Sequence, residues 1–267
     1  MLALLATLAA PAHAGAWTQD QGSAYGKAVG RFLVGDEAFD LEGNHMKVAP
    51  YRDANLALYA EYGVTDRWTA LVTSTPVGGC IYGNAAGAYM GPTAGGLRYG
   101  LLRGPTRVAI EGRLGKAQAF DGGDLARTNT SGQGPEGVSF IPAVATTFVD
   151  GELQIGRGWR RFWAVGSAGL RWHSDPELGT VGLGFWQVGA RLPAGFVLEL
   201  HGTAWMPRNP VETINVYGVG QTAYLGVGLA ASWWATERIA LHIGGEGVFY
   251  AVANAATPTM IIGIEAR

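Results

Sequence analysis

The stretch Asn55-Leu-Ala-Leu-Tyr-Ala-Glu-Tyr-Gly-Val-Thr-Asp-Arg-Trp-Thr-Ala-Leu-Val-Thr-Ser-Thr75 decides the fold class. In its first arm Leu56, Leu58, Ala60 and Tyr62 share one face, and Asn55, Ala57, Tyr59 and Glu61 share the other. A period of two marks a strand with one apolar and one polar side. Thr65-Asp66-Arg67 breaks the run and Trp68 opens a second arm, so the stretch reads as two strands joined by a tight polar turn. The unit recurs, with variations, to the C-terminus.

Working outward, a first strand is expected from Gly22 to Val34, followed by a polar loop from Gly35 to Pro50. After the opening hairpin comes a Gly/Ala-rich loop, Gly78 to Gly91, then strands from Thr93 to Leu101 and from Arg107 to Lys116. Ala117 to Gly137 is the longest loop. A sixth strand is expected from Val138 to Val149, with a turn at Asp150-Gly151 and a connection through Gly158. Six further strands follow, the last from Thr259 to Arg267. The total is about twelve, within a range of ten to fourteen, with no helix after the first residues. Long polar connections alternate with tight turns such as Arg103-Gly-Pro-Thr106, Pro193-Ala-Gly195 and Ala235-Thr-Glu237.

That rhythm matches an all-β, closed, antiparallel up-and-down transmembrane β-barrel with long external loops and short periplasmic turns. Strands of about 9–13 residues suit a tilted crossing of the hydrocarbon layer, and an open sheet edge is not tolerated there. Tyr62, Trp68, Trp172, Trp205, Trp233, Trp234 and Tyr250 fall near strand ends, where interfacial girdles lie. A soluble barrel or sandwich would also alternate, but gives no reason for loop lengths to alternate.

Composition narrows the function classes. The 267 residues carry a net charge of −2 and only 15% charged side chains, which argues against nucleic acid as a partner. A single cysteine, Cys80, rules out a disulfide within the chain. Met1 to Ala14 reads as an export signal: an apolar core, Pro11, then Ala12-His13-Ala14 as a small-x-small cleavage site. The barrel then comprises residues 15–267, starting near Gly15.

The segments Gly15-Ala-Trp-Thr-Gln-Asp-Gln-Gly-Ser-Ala-Tyr25, Gly35-Asp-Glu-Ala-Phe39 and Tyr59-Ala-Glu-Tyr-Gly-Val-Thr-Asp-Arg-Trp68 resemble the start of a group of Gram-negative outer-membrane barrels. The group is loosely similar to proteins regarded as transporters of aromatic or other hydrophobic compounds. The resemblance covers about the first 75 residues. It implies a fold, an outer-membrane location, contact with outer-membrane lipid and handling by the barrel-assembly machinery, but names no solute. The chain departs from the group at its end. Such barrels finish on an aromatic residue, whereas this one ends Ile264-Glu265-Ala266-Arg267, which implies an altered last strand.

If the apolar faces meet lipid, the polar faces line a lumen. The residues expected there are Lys27, Arg31, Tyr59, Glu61, Arg98, Arg107, Glu111, Arg113, Arg161, Trp163, Arg171, Glu199, His201, Arg238, His242 and Glu246. Their cations outnumber their acids, even with Glu265 added. The leading expectation is a porin-like channel or transporter with a net-basic lumen, passing small polar or anionic solutes. Tyr59 and Trp163 leave room for hydrophobic ones. The competing reading of the same charges is a filled core, with Glu111 paired to Arg107 and Arg113.

A lipid hydrolase is the enzyme alternative. The neighbouring pair His173-Ser174 is unsuited to it, because adjacent strand residues face opposite sides. A purely structural or adhesive barrel is the third class. No catalytic residue, metal ligand set or cofactor site is nominated. Asp121-Gly-Gly-Asp124 is too short for a calcium loop.

Overall fold

A computed structural model describes residues 16–120, 138–209, 211–217 and 222–267. The expected export signal and the 121–124 loop lie outside the described residues. The barrel strands are β1 (Ala24–Phe39), β2 (His45–Gly63), β3 (Trp68–Tyr82), β5 (Thr93–Leu102), β6 (Thr106–Ala117), β8 (Thr146–Gly158), β9 (Phe162–His173), β10 (Thr180–Arg191), β11 (Phe196–Pro207), β13 (Ala223–Trp234), β14 (Ile239–Val252) and β16 (Thr259–Ala266). Four short strands lie outside the wall: β4 (Ala85–Tyr89), β7 (Val138–Ser139), β12 (Ile214–Asn215) and β15 (Asn254–Ala255).

Each barrel strand pairs antiparallel with its neighbours in the chain, and β16 pairs with β1 from Gly26↔Ala266 to Leu33↔Thr259. The sheet therefore closes as a twelve-stranded barrel with no free edge. The last strand spans only eight residues yet pairs on both sides.

The outer surface explains why the sequence alternates. Leu97, Ile110, Leu114, Leu153, Ile155, Leu198, Leu229 and Ile264 are each about half exposed. A continuous apolar band of this extent would be a liability in water and is what a lipid-facing wall requires. Trp68, Trp172 and Trp233 point outward near strand ends, as girdle residues do.

Two parts of the layout differ from the sequence expectation. Asp150-Gly151 is not a turn. β8 runs straight through it, with Asp150↔Arg113 and Gly151↔Gly112 across from β6. The connection lies at Trp159 to Arg161 instead. Asp150 and Glu152 are the inward positions of an ordinary strand, tolerated in its middle because both find cations inside.

Nor are 35–50 and 78–91 loops throughout. β1, β2 and β3 are 16, 19 and 15 residues long and continue past the membrane layer, and β4 folds back on β3. Against the inner side of this tall wall pack β7 and β12, which pair parallel with each other. Their contact builds an aromatic core from Tyr51, Tyr82, Tyr89, Phe120, Phe140 and Val216, with Cys80 of β3 buried in it.

Glycine is frequent because large side chains lie over their cross-strand neighbours. Gly189 pairs with Trp163, and a Cβ there would run into the indole ring. Gly115 and Phe148 stand in the same relation. Gly189→Val should displace Trp163 and lower stability by about 1–3 kcal/mol, as overpacking does. Urea titration of the heat-modifiable gel band reads this as a lower midpoint. An unchanged midpoint would show that the ring is free to move.

Candidate functional site

The inward side chains sort onto two arcs of unlike character. On the arc from β2 to β9, charges form a ladder across the strands. Arg98 is 3% exposed and donates from Nε to Glu111 Oε2 at 2.8 Å. Its Nη1 donates to Glu61 Oε1 at 2.7 Å and to the Trp17 carbonyl at 2.9 Å, and its Nη2 to the Tyr59 hydroxyl at 3.1 Å. The Tyr59 hydroxyl in turn donates to Glu61. Gln154 Nε2 donates to Glu111 at 3.1 Å.

One step along, Arg113 Nε lies 3.2 Å from Glu111 Oε1 and 3.4 Å from Asp150 Oδ2, and its Nη2 pairs with Glu152. Arg171 closes the row with a two-pronged bond to Asp150, at 2.6 and 2.8 Å. Charges this dry are stable only when paired and hydrogen-bonded, and here each cation lies against at least one carboxylate.

The N-terminal segment joins the same arc. Ala16, Trp17, Thr18 and Gln19 are all buried. The Gln19 N–H donates to Thr69 Oγ1 at 2.8 Å, and Gln19 Nε2 donates to Glu61 Oε2 at 2.5 Å. Thr18 Oγ1 donates to the Asp66 carbonyl at 2.9 Å. Trp17 packs with Trp163 and Val165 of β9, over Gly156 of β8. The segment thus crosses the turn end of the lumen from β3 to β9.

The remaining arc, β11, β13, β14, β16 and β1, is open. Two cavities border it, each lined from the opposite strands as well. The outer one, about 480 Å³, is lined by Phe148, Arg171, His173, Trp205, Tyr217 and Tyr224, with Arg31 and Asp53. The inner one, about 320 Å³, is lined by Lys27, Tyr59, Trp163, Arg191, Glu199, His242, Glu265 and Arg267. Both include Arg31, His201, Thr203 and Glu246. At that level Arg31 Nη2 donates to Glu246 Oε2 at 2.9 Å, and His201 Nε2 lies 3.1 Å from Glu246 Oε1. Deeper in, Glu265 accepts from the Ser232 hydroxyl at 2.9 Å and the Tyr25 hydroxyl at 3.1 Å, with His242 Nδ1 3.0 Å away.

The outer cavity is roofed by residues that connect barrel strands. Tyr217 and Tyr89 donate to the buried Asp53 at 3.2 and 2.8 Å, and Asn55 Nδ2 does so at 2.8 Å. Burial pushes the Tyr217 phenol above its ordinary range, so it remains a donor. Arg171 stacks on Phe148 at 3.9 Å and on Trp205 at 5.0 Å, which gives the roof's opposite wall an aromatic and cationic surface.

The structure brings Tyr59, Glu61, Arg98, Glu111, Arg113 and Arg171 into the ladder. It sets Lys27, Arg31, Trp163, Glu199, His201, His242 and Glu246 around the cavities. Arg107 is partly buried at the turn end of β6, and Glu111 pairs with Arg98 and Arg113 instead. Arg161 and Arg238 lie in exposed turns beyond the strand ends, where alternation no longer assigns a side. Trp205 faces the lumen, not the girdle.

Asp150 and Glu152 are inward acids that the sequence reading placed in a turn and connection, and they balance the ladder's cations; a third, Asp53, lies just past the expected loop and belongs to no expected element. Their own alternation with Ala54, Val149 and Leu153 was the available signal. Trp17 and Gln19, ahead of any strand, carried none.

His173 Nδ1 lies 3.4 Å from Thr146 Oγ1, and Ser174 Oγ lies 3.5 Å from the same atom and accepts from the Thr147 N–H. Among the described residues no group of His, Cys, Asp and Glu is placed to hold a metal ion.

Arg98→Ala would strand Glu61 and Glu111 without their shared cation. We expect a loss of about 3–5 kcal/mol in urea unfolding, partly recovered by adding Glu61→Gln. A loss under about 1 kcal/mol would mean that water reaches these carboxylates.

No protein-family model matches the sequence, and no curated protein sequence matches it. Solved structures do match in shape. The COG4313 outer membrane channel from Pseudomonas putida F1 aligns with a TM-score of 0.61 at 9% identity, over 94% of this chain and 97% of that one. The NanC porin aligns with a TM-score of 0.59 at 9% identity, over 90% and 99%. The translocator domain of the autotransporter NalP from Neisseria meningitidis aligns at 0.51 and 12% identity, over 93% and 89%. The chain therefore has the fold of outer-membrane β-barrels, channels among them.

Proposed function

We propose that this chain is a narrow channel in the outer membrane of a Gram-negative bacterium, exported, inserted by the barrel-assembly machinery and passing small polar or anionic solutes. The observation that carries the reading is the pair of cavities in series inside the barrel, joined at Arg31, His201, Thr203 and Glu246. A barrel meant only to be filled would leave no such space. Arg98 and Arg113 of the ladder pair with their carboxylates out of reach of it, whereas the pairs Arg31–Glu246 and Lys27–Glu265 border the cavities.

Cations around the two cavities support the polar and anionic preference, although Arg171 is already paired with Asp150. Lys27, Arg31, Arg171, Arg191 and Arg267 line the two cavities, against Asp53, Glu199, Glu246 and Glu265. Asp53 and Glu265 are each already held by several hydrogen-bond donors. A solute with an apolar body is the second reading, favoured by Phe148, Trp205 and Tyr224 in the outer cavity. The role is a conduit, not catalysis.

The N-terminal segment sets the width at the turn end. We expect low single-channel conductance for the intact protein in planar bilayers. Deleting residues 16–20 should raise it by roughly twofold or more, since the obstruction and its hydrogen bonds go together. If neither form conducts at any voltage, the channel reading fails.

A further inference from the structure

We infer that Arg31 is the selectivity-determining side chain of the passage, and that it binds small carboxylates by exchanging them for Glu246. The inference rests on the channel reading. Its first support is position. The cavities share Arg31, His201, Thr203 and Glu246 and no other residue, so a solute moving between them passes these side chains.

The second support is availability. The side chains of Arg31 and Glu246 are 41% and 33% exposed, while Arg98 and Glu61 of the ladder are 3% and 1% exposed. An ion pair in a wet cavity is weak, and its partners exchange readily. Guanidinium is the side chain best suited to gripping a carboxylate through two N–H bonds.

The third is the way Glu246 is held. One oxygen faces Arg31 and the other faces His201 across β13. Only Gly228 stands between them on that strand. A Cβ there would lie 2.9 Å from Glu246 Cγ and would collide with the His201 ring. Glu246 therefore keeps a second partner when a solute carboxylate takes its place on Arg31. Beyond the neck, Lys27 lies four residues away on the same face of β1, and Arg191 and Arg267 line the inner cavity. An anion released from Arg31 meets further cations in sequence. Glu199 and Glu265, the latter 3.6 Å from Lys27, are the opposing charges on that route.

The test uses the full mature chain in planar bilayers under a KCl gradient, with folding checked by heat-modifiable gel mobility. Glu246→Gln leaves Arg31 un-neutralised and should raise the chloride-to-potassium permeability ratio roughly fivefold, as expected for one unit charge a few ångströms from the path. Arg31→Gln should lower it by a similar factor and abolish concentration-dependent block of chloride current by acetate. Arg31→Lys should keep the sign of selectivity and weaken the block. Should Arg31→Gln not fold, Glu246→Gln and Arg31→Lys still decide. Folded, conducting variants with the wild-type ratio and wild-type acetate block would overturn the inference and leave the channel reading standing. No conductance in any form, including the chain lacking residues 16–20, would overturn both.

Discussion

A guanidinium enclosed by a barrel wall has to bring its own solvent, and Arg98 does. Two carboxylates, a phenol and a main-chain carbonyl surround it. The carbonyl belongs to Trp17, so the same residue that neutralises the wall also anchors the N-terminal segment. The large cost of breaking such a dry cluster makes it an all-or-none unit. The rest of the ladder follows from it, because Glu111 is shared with Arg113, which in turn shares Asp150 with Arg171. The lumen beside that cluster is thereby filled, and the remaining space is gathered into the two cavities.

The open arc follows different physics. Its charges are held in small groups, with glycine and alanine between them on β13 and β14. There the absence of side chains matters as much as their presence: Gly228 lets a histidine and a glutamate meet across an intervening strand. These groups border open space and are more exposed than Arg98, so they are held less rigidly than it is. A filled ladder and open cavities coexist inside this barrel.

Most of the fold was legible in residues 55–75, because a lipid-facing wall imposes strict alternation and short turns impose their own chemistry. The same logic nominated sixteen inward side chains by parity alone, and thirteen of them lie in the ladder or around the cavities. It failed where local composition mimicked a turn. Asp150-Gly151 has the residues of a hairpin, yet it lies mid-strand because Arg113 and Arg171 stabilise the aspartate from either side. Arg161 and Arg238 failed for the opposite reason, since parity was carried past the point where strands end. The segment before β1 was illegible: its burial depends on Arg98, Glu61 and Trp163, far away in sequence.

The unequal arcs also make the barrel mechanically anisotropic. Side-chain ties that reach from strand to strand stiffen the β2–β9 half like rungs in a frame. The β11–β1 half has side-chain ties as well, such as Arg31–Glu246 and Lys27–Glu265, but they border open space and yield more easily. Lateral pressure from the bilayer, or a solute wider than the resting passage, would be absorbed on that compliant side. The pore should widen by flattening one flank, with the rigid flank serving as its keel.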